Sequence, residues 1–162
     1  IRLSEENTAD LTLAVGDKQL FVQGENFEFI SRLIDGHYPE YKKVIPEKFI
    51  SLARISKKEL EHNIKVASIF SSSIADIKLQ ANDGQLKIEA KNTDRGELNT
   101  TINCALKNEP FSVAVNFRYL LDGLKSITTD NVILHYTGEG SPLILKAEEK
   151  KDQTYLIMPL RN

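Results

Sequence analysis

Apolar and polar residues alternate along three stretches of the chain, and each stretch is broken once by a tight turn. Ala9–Val15 and the run ending at Val22 form the first pair. Ala75–Ala81 and the run ending at Ile88 form the second, with Asn82-Asp83-Gly84 between them. Asp130–Tyr136 and the run ending at Leu145 form the third, around Gly138-Glu139-Gly140. Period-2 alternation bounded by Gly and Asp predicts β-hairpins. A further alternating strand follows each hairpin: Phe27–Ile34, Glu97–Leu106 and Thr154–Pro159. Before the second and third hairpins the period changes from 2 to 3.6. Phe49–Ile55 predicts a strand running into Ser56-Lys57-Lys58-Glu59, a capping box, and then a helix to about Phe70 with Leu60, Ile64 and Ala67 on one stripe. Phe111–Val115 predicts a strand, Asn116 an N-cap, and a helix carrying Leu120, Leu121, Leu124 and Ile127 follows.

The chain therefore holds two copies of a β-α-β-β-β unit, preceded by the rear portion of a third. The expected class is α+β, with sheets outside and two helices packed against them. The first copy lacks its opening strand. Ser31–Pro46 joins the remnant to the whole: it turns at Asp35-Gly36 and then runs extended through Pro39 and Pro46, which fix φ and bias the preceding residues away from helix. We place the boundary near Pro46, giving a partial domain at 1–46 and a complete one at 47–162. The chain starts at Ile1 without a Met, its one methionine being Met158, and the expectation is a piece of something longer.

Composition narrows the function classes. With 162 residues and 41% hydrophobic content, one good core can be buried. A net charge of -2 argues against a surface that grips nucleic acid everywhere, while allowing a local basic face. The single Cys104 precludes an internal disulfide and fits the cytoplasm. No apolar run approaches the roughly 18–20 residues of a membrane span, and no secretory signal pattern opens the chain. His37, His62 and His135 lack metal-ligand spacing, and no nucleophile elbow, P-loop or dinucleotide fingerprint occurs. The expectation is a protein that is not an enzyme and needs no cofactor or metal.

Two surfaces remain as candidates. Lys58, His62 and Lys65 share a face of the first helix, and Arg118 and Lys125 share one on the second with Asp122 between them. These are either an ordinary solvated face or point charges placed near phosphates, which would position DNA without reading it. Pro39, Val44, Tyr119, Pro142, Leu156, Met158, Pro159 and Leu160 are apolar or semi-polar residues from loops, a helix start and the chain end. They either finish the core of the last sheet or form an adaptable docking surface.

Leu33–Pro46, Asn116–Leu124 and Met158-Pro159-Leu160-Arg161 together closely resemble the bacterial DNA polymerase III β subunit, the sliding-clamp family, and the likeness extends over nearly the whole chain. It implies a clamp fold in which two three-domain subunits close head to tail around double-stranded DNA, helices lining the hole. It further implies a pocket that takes short linear motifs from DNA polymerases, the clamp loader and repair proteins. The matching positions are Pro39, Lys43, Val44, Asn116, Tyr119, Pro142, Leu156, Ile157, Met158, Pro159, Leu160 and Arg161. Ile69 and Phe70 match the subunit interface of the homodimer. A stand-alone peptide-binding domain and a small enzyme are the alternatives.

Overall fold

A computed structural model describes residues 10–38, 40–46, 48–148 and 153–160. The chain divides into two compact units, 1–40 and 41–162. In the first, β1 (Thr12–Val15), β2 (Gln19–Gln23) and β3 (Glu28–Arg32) form an antiparallel meander, with Leu13 opposite Val22 and Val22 opposite Phe29. Of this apolar face only Val22 is buried, and Leu13 and Val15 stay largely exposed.

The second unit is an eight-stranded antiparallel sheet with two helices. It begins with a 3-10 turn at Tyr41–Lys43, closed by the Val44 amide donating to the Tyr41 carbonyl at 3.0 Å. The first repeat is β4 (Ser51–Ser56), α1 (Lys57–Ser68), β5 (Asp76–Asn82), β6 (Gln85–Asn92) and β7 (Gly96–Asn108). The second is β8 (Phe111–Asn116), α2 (Phe117–Ser126), β9 (Asn131–Tyr136), β10 (Leu143–Ala147) and β11 (Thr154–Ile157). Both expected units are present, with their hairpins and helices. The β5–β6 turn uses positive φ at Asp83 (47°) and Gly84 (77°), the geometry that favours Asp-Gly in a two-residue hairpin.

Periodicity alone does not reveal how the repeats join. The strand order is β11-β10-β9-β4-β7-β6-β5-β8, so each repeat lends its opening strand to the other. β4 pairs with β9, and β8 pairs with β5. The registers are equivalent: Leu52 faces His135 and Ser112 faces Gln80, while Ser56 faces Asn131 and Asn116 faces Asp76. The first helical amides match too, Lys57 donating to Asp130 at 2.8 Å and Phe117 to Ala75 at 2.9 Å.

The helices cover one face of this sheet. Leu60, Ile64 and Ala67 of α1 and Leu120 and Leu124 of α2 are fully buried against Ile55, Ile77, Leu79, Ile88, Leu134 and Leu145. Each such Leu or Ile contributes about 1.5–3 kcal/mol relative to an exposed side chain. Both caps form, Ser56 Oγ accepting from the Glu59 amide at 3.4 Å and Asn116 Oδ1 from the Arg118 amide at 2.9 Å. Ile127, expected on the second helix, lies just past it in extended conformation and still packs into the core.

Candidate functional site

The two seams that join the half-sheets differ in how far they pair. At the first, β7 runs from β6 onto β4, and its far half pairs continuously, Cys104 with Ile55 through Asn108 with Ser51. At the second, the counterpart of that far half is the tail after β11. Leu160 donates to the Ala114 carbonyl of β8 at 2.8 Å, as register equivalence with the Ala105–Arg54 pair requires. Pro159 stands where the first seam has Cys104. Cys104 turns its N–H away from β4, donating to the Gly84 carbonyl at 2.9 Å, so at the equivalent position Pro159 lacks the donor that would continue pairing on the β10 side, and β11 ends at Ile157, short of the expected Pro159.

A cleft of about 750 Å³ lies beside this second seam. Met158, Pro159 and Leu160 form one wall, Phe111–Ala114 of β8 another, and Tyr136 with Gly138–Gly140 the rim. Met158 is 55% exposed, an accessible and adaptable apolar side chain.

The other proposed pocket residues that are described do not line this cleft. Asn116 caps α2 and also donates from Nδ2 to the Ile74 carbonyl at 3.1 Å, which ties the α1–β5 loop to the start of α2. Tyr119 is exposed in the first turns of α2. Pro142 is buried, and its carbonyl accepts from the Thr137 hydroxyl at 2.6 Å. Leu156 lies on the outer sheet face opposite Ile144, whereas Ile157 is 1% exposed and belongs to the core. Lys43 and Val44 are exposed at the 3-10 turn. Pro39 and Arg161 lie outside the described residues.

The five proposed DNA-facing residues are all exposed on the two helices. Lys65 pairs with Glu61 and Lys125 with Asp122, at 2.5 and 2.9 Å. The Glu61 carboxyl is held below its ordinary range, chiefly by the Lys65 hydrogen bond and with help from the charges of Lys57 and Lys125. α1 and α2 pack against each other, so their polar faces adjoin, and the charge of Lys125 reaches the Glu61 carboxylate of α1. Three lysines against two glutamates on α1, and two cations against one aspartate on α2, leave this surface net positive in a chain of net charge -2. At the far end of α1, Ile69 is exposed and Phe70 packs partly against the core. Among the described residues, no cluster of His, Cys, Asp and Glu suits a metal ion, and no helix is long and apolar enough to cross a membrane.

Residues 42–161 match the family model for the DNA polymerase III beta subunit, C-terminal domain. The chain belongs to that family. It is 31% identical over 162 residues to the beta sliding clamp of Haemophilus influenzae, an alignment covering 99% of this chain and 44% of the relative. The sliding clamp of Pseudomonas aeruginosa solved with a ligand superposes with a TM-score of 0.87 at 26% identity, covering 98% of this chain and 43% of that one. The clamp from the same organism bound to griselimycin gives 0.85 at 26% identity, covering 98% and 43%. The chain thus spans under half the length of the relatives it matches, and its fold is the α+β clamp fold.

In this beta-subunit domain some cleft residues carry no signal in the linear sequence. Phe111, Ser112 and Tyr136 read as ordinary strand positions. Their place at the cleft follows from the strand exchange that sets β8 beside the tail. Ile74, 59% exposed and held through its carbonyl by Asn116, lies outside the cleft lining and is equally inconspicuous in the sequence. Its one local marker is the φ of 60° at the neighbouring Ala75, which no alternation pattern reports.

Proposed function

We propose that this chain is the C-terminal part of a DNA sliding clamp, a processivity factor that is not itself an enzyme. In the full-length protein, two subunits close head to tail into a ring around double-stranded DNA, with Ile69 and Phe70 at the joint between subunits. The observation that carries this reading is the shared, net-positive surface of α1 and α2 on one side of a sheet of the clamp fold. A positive lining around a rod of phosphates needs no base contact. Individual contacts then stay weak enough for sliding, and retention is topological.

The partner-docking site is the tail region: Met158, Pro159 and Leu160 at the cleft, with Asn116, Tyr119, Pro142, Leu156, Lys43 and Val44 as further contributors; Pro39 and Arg161, which the resemblance also assigns to it, lie outside the described residues. Ile157 contributes from beneath, through the core. An apolar cleft with a polar rim suits an anchor side chain of an extended peptide, as short motifs of DNA polymerases, the clamp loader and repair proteins would offer. Griselimycin, bound by the Pseudomonas aeruginosa clamp, provides a probe.

Two measurements on the full-length protein test the two halves of this reading. Loaded protein should persist on circular duplex DNA and be lost from linear DNA with free ends; equal retention on both would refute encirclement. Met158→Ala should weaken griselimycin binding at least tenfold without changing retention on circles; unchanged affinity would remove the tail from the docking site.

A further inference from the structure

Register equivalence also pairs the contacts between each helix and the last strand of its own repeat. In the first repeat, Asn63 of α1 meets Thr100 of β7, whose hydroxyl donates to the Asn63 Oδ1 at 2.8 Å. Counting from the N-caps Ser56 and Asn116, the counterpart of Asn63 is Gly123. Counting from the Thr101 and Leu156 register positions, the counterpart of Thr100 is Tyr155. These two residues also meet, but their sizes are exchanged. The helix supplies no side chain, and the strand supplies a ring that lies directly on the helix backbone. A Cβ placed on Gly123 would come within 2.6 Å of the Tyr155 Cδ1 and 2.8 Å of its Cε1, closer than real atoms approach.

The contact is part of a longer fastening. Tyr119, Gly123 and Ser126 recur at the spacing of one helix face. At the far end of that face, the Gln153 Nε2 donates to the Ser126 carbonyl at 2.9 Å and to its hydroxyl oxygen at 3.0 Å. At the near end, the Tyr155 phenol is pushed up from its ordinary range by burial first, and then by the neighbouring Asp122 carboxylate and Tyr119 phenol. Three residues after Tyr155, the chain becomes the cleft wall at Met158.

We infer that Tyr155, seated on Gly123, is a positioning residue for partner docking: it holds β11 against α2 so that the Met158–Leu160 wall and Tyr119 stand in a fixed relation. The inference rests on the docking reading above, and it adds two residues that touch no partner themselves. What the docking site requires is the ring and not the hydroxyl.

The test measures griselimycin affinity on the full-length protein. Tyr155→Ala and Gly123→Ala should each weaken binding at least tenfold, and the double variant should be no weaker than Tyr155→Ala, because both break one contact. Tyr155→Phe should bind within twofold of the parent. Asn63→Ala, which breaks the counterpart contact in the first repeat, should leave affinity unchanged and controls for general loosening. Tyr155→Leu replaces Tyr155→Ala should the latter fail to fold. In Gly123→Ala, spectrophotometric titration should show the displaced phenol ionising in its ordinary range. If Met158→Ala weakens binding while Tyr155→Ala does not, the positioning role is refuted and the docking site stands. If neither weakens it, both fall. An equal loss in Asn63→Ala would also overturn the inference.

Discussion

The two half-sheets present equivalent rows of side chains on the face away from the helices, and the rows have opposite chemistry. In one, the register runs Ser112, Gln80, Lys87, Thr101 across β8, β5, β6 and β7. In the other, the same positions across β4, β9, β10 and β11 are Leu52, His135, Ile144 and Leu156. The first row faces water and includes the Lys87–Glu89 ion pair on its strand. The second is roofed by Phe49, whose ring meets the His135 ring edge-on at 4.5 Å, with the Lys146 ammonium 5.3 Å from the Phe49 ring centre. Ile144 is 0% exposed although it points away from the helices. One backbone plan thus carries a solvated outer face in one half and a small second core in the other. That second core underlies the strand that leads to the cleft.

The most disruptive way to break this difference is to exchange its central residues. Ile144→Lys, which installs the residue of the equivalent position, places an unpaired ammonium at a fully covered site and should cost about 3–5 kcal/mol. Lys87→Ile, the reverse exchange on the solvated half, should change stability by no more than about 0.5–1 kcal/mol. Urea midpoints of the two variants measure the contrast directly. Equal losses would mean that the roofed row is not a core.

His135 sharpens the same comparison through pH. Both its ring nitrogens are buried without a hydrogen-bond partner, and burial, aided by the Lys146 charge, lowers its pKa to about 4. The unfolded chain takes up this proton near 6.5, so between about 6.5 and 4 the unfolded state binds more protons. The contribution to stability is complete above pH 6.5 and is lost as pH falls toward 4. Allowing for relaxation and solvent around the ring, the loss amounts to about 1–2 kcal/mol. His135→Gln, copying Gln80, should flatten the stability profile across this window relative to the parent. An unchanged slope would show that the imidazole is solvated.

The elements themselves were legible because each rule acts locally. Asp83-Gly84 marked a hairpin, Ser56 and Asn116 marked helix starts, and the stripes of Leu60, Ile64, Leu120 and Leu124 marked the buried helix faces. The tail was visible as an unusual apolar end. The strand exchange was not legible, because alternation fixes which residues share a face but not which strand lies beside which. Phe111 and Tyr136 therefore read as ordinary strand positions, and Ile157 looked equivalent to its neighbour Leu156 although they face opposite sides of the sheet. The roofed row is hidden for a similar reason: His135 and Ile144 lie nine residues apart and become neighbours only through the register of β9 and β10. The size exchange at Gly123 and Tyr155 needs both repeats in register before it can be seen.

The helix caps extend the comparison to smaller effects. Ser56 accepts one amide at 3.4 Å, a long bond, whereas Asn116 accepts one at 2.9 Å and donates a second hydrogen bond to the Ile74 carbonyl. Asn116→Ala should therefore cost about 1–2 kcal/mol and Ser56→Ala about 0.5 kcal/mol. Denaturation of each variant gives the ratio, and a larger loss at Ser56 would show that the Ile74 link adds nothing.

The smallest difference lies on the helix surface. Lys65 meets Glu61 four residues before it, while Lys125 meets Asp122 on its own helix and also acts on Glu61 across the helix pair. All four side chains are solvated to a substantial degree, so each pair is worth less than about 0.5 kcal/mol and shrinks as salt rises. Lys65→Met or Lys125→Met alone should be nearly silent in a denaturation curve. The cross-helix contact has a distinct signature. Because both cations stabilise the same Glu61 carboxylate, the double variant should show a coupling of a few tenths of a kcal/mol at low salt that vanishes at high salt. Strict additivity at low salt would mean that the two helices carry separate charged faces rather than one, and would weaken the case for a shared positive lining.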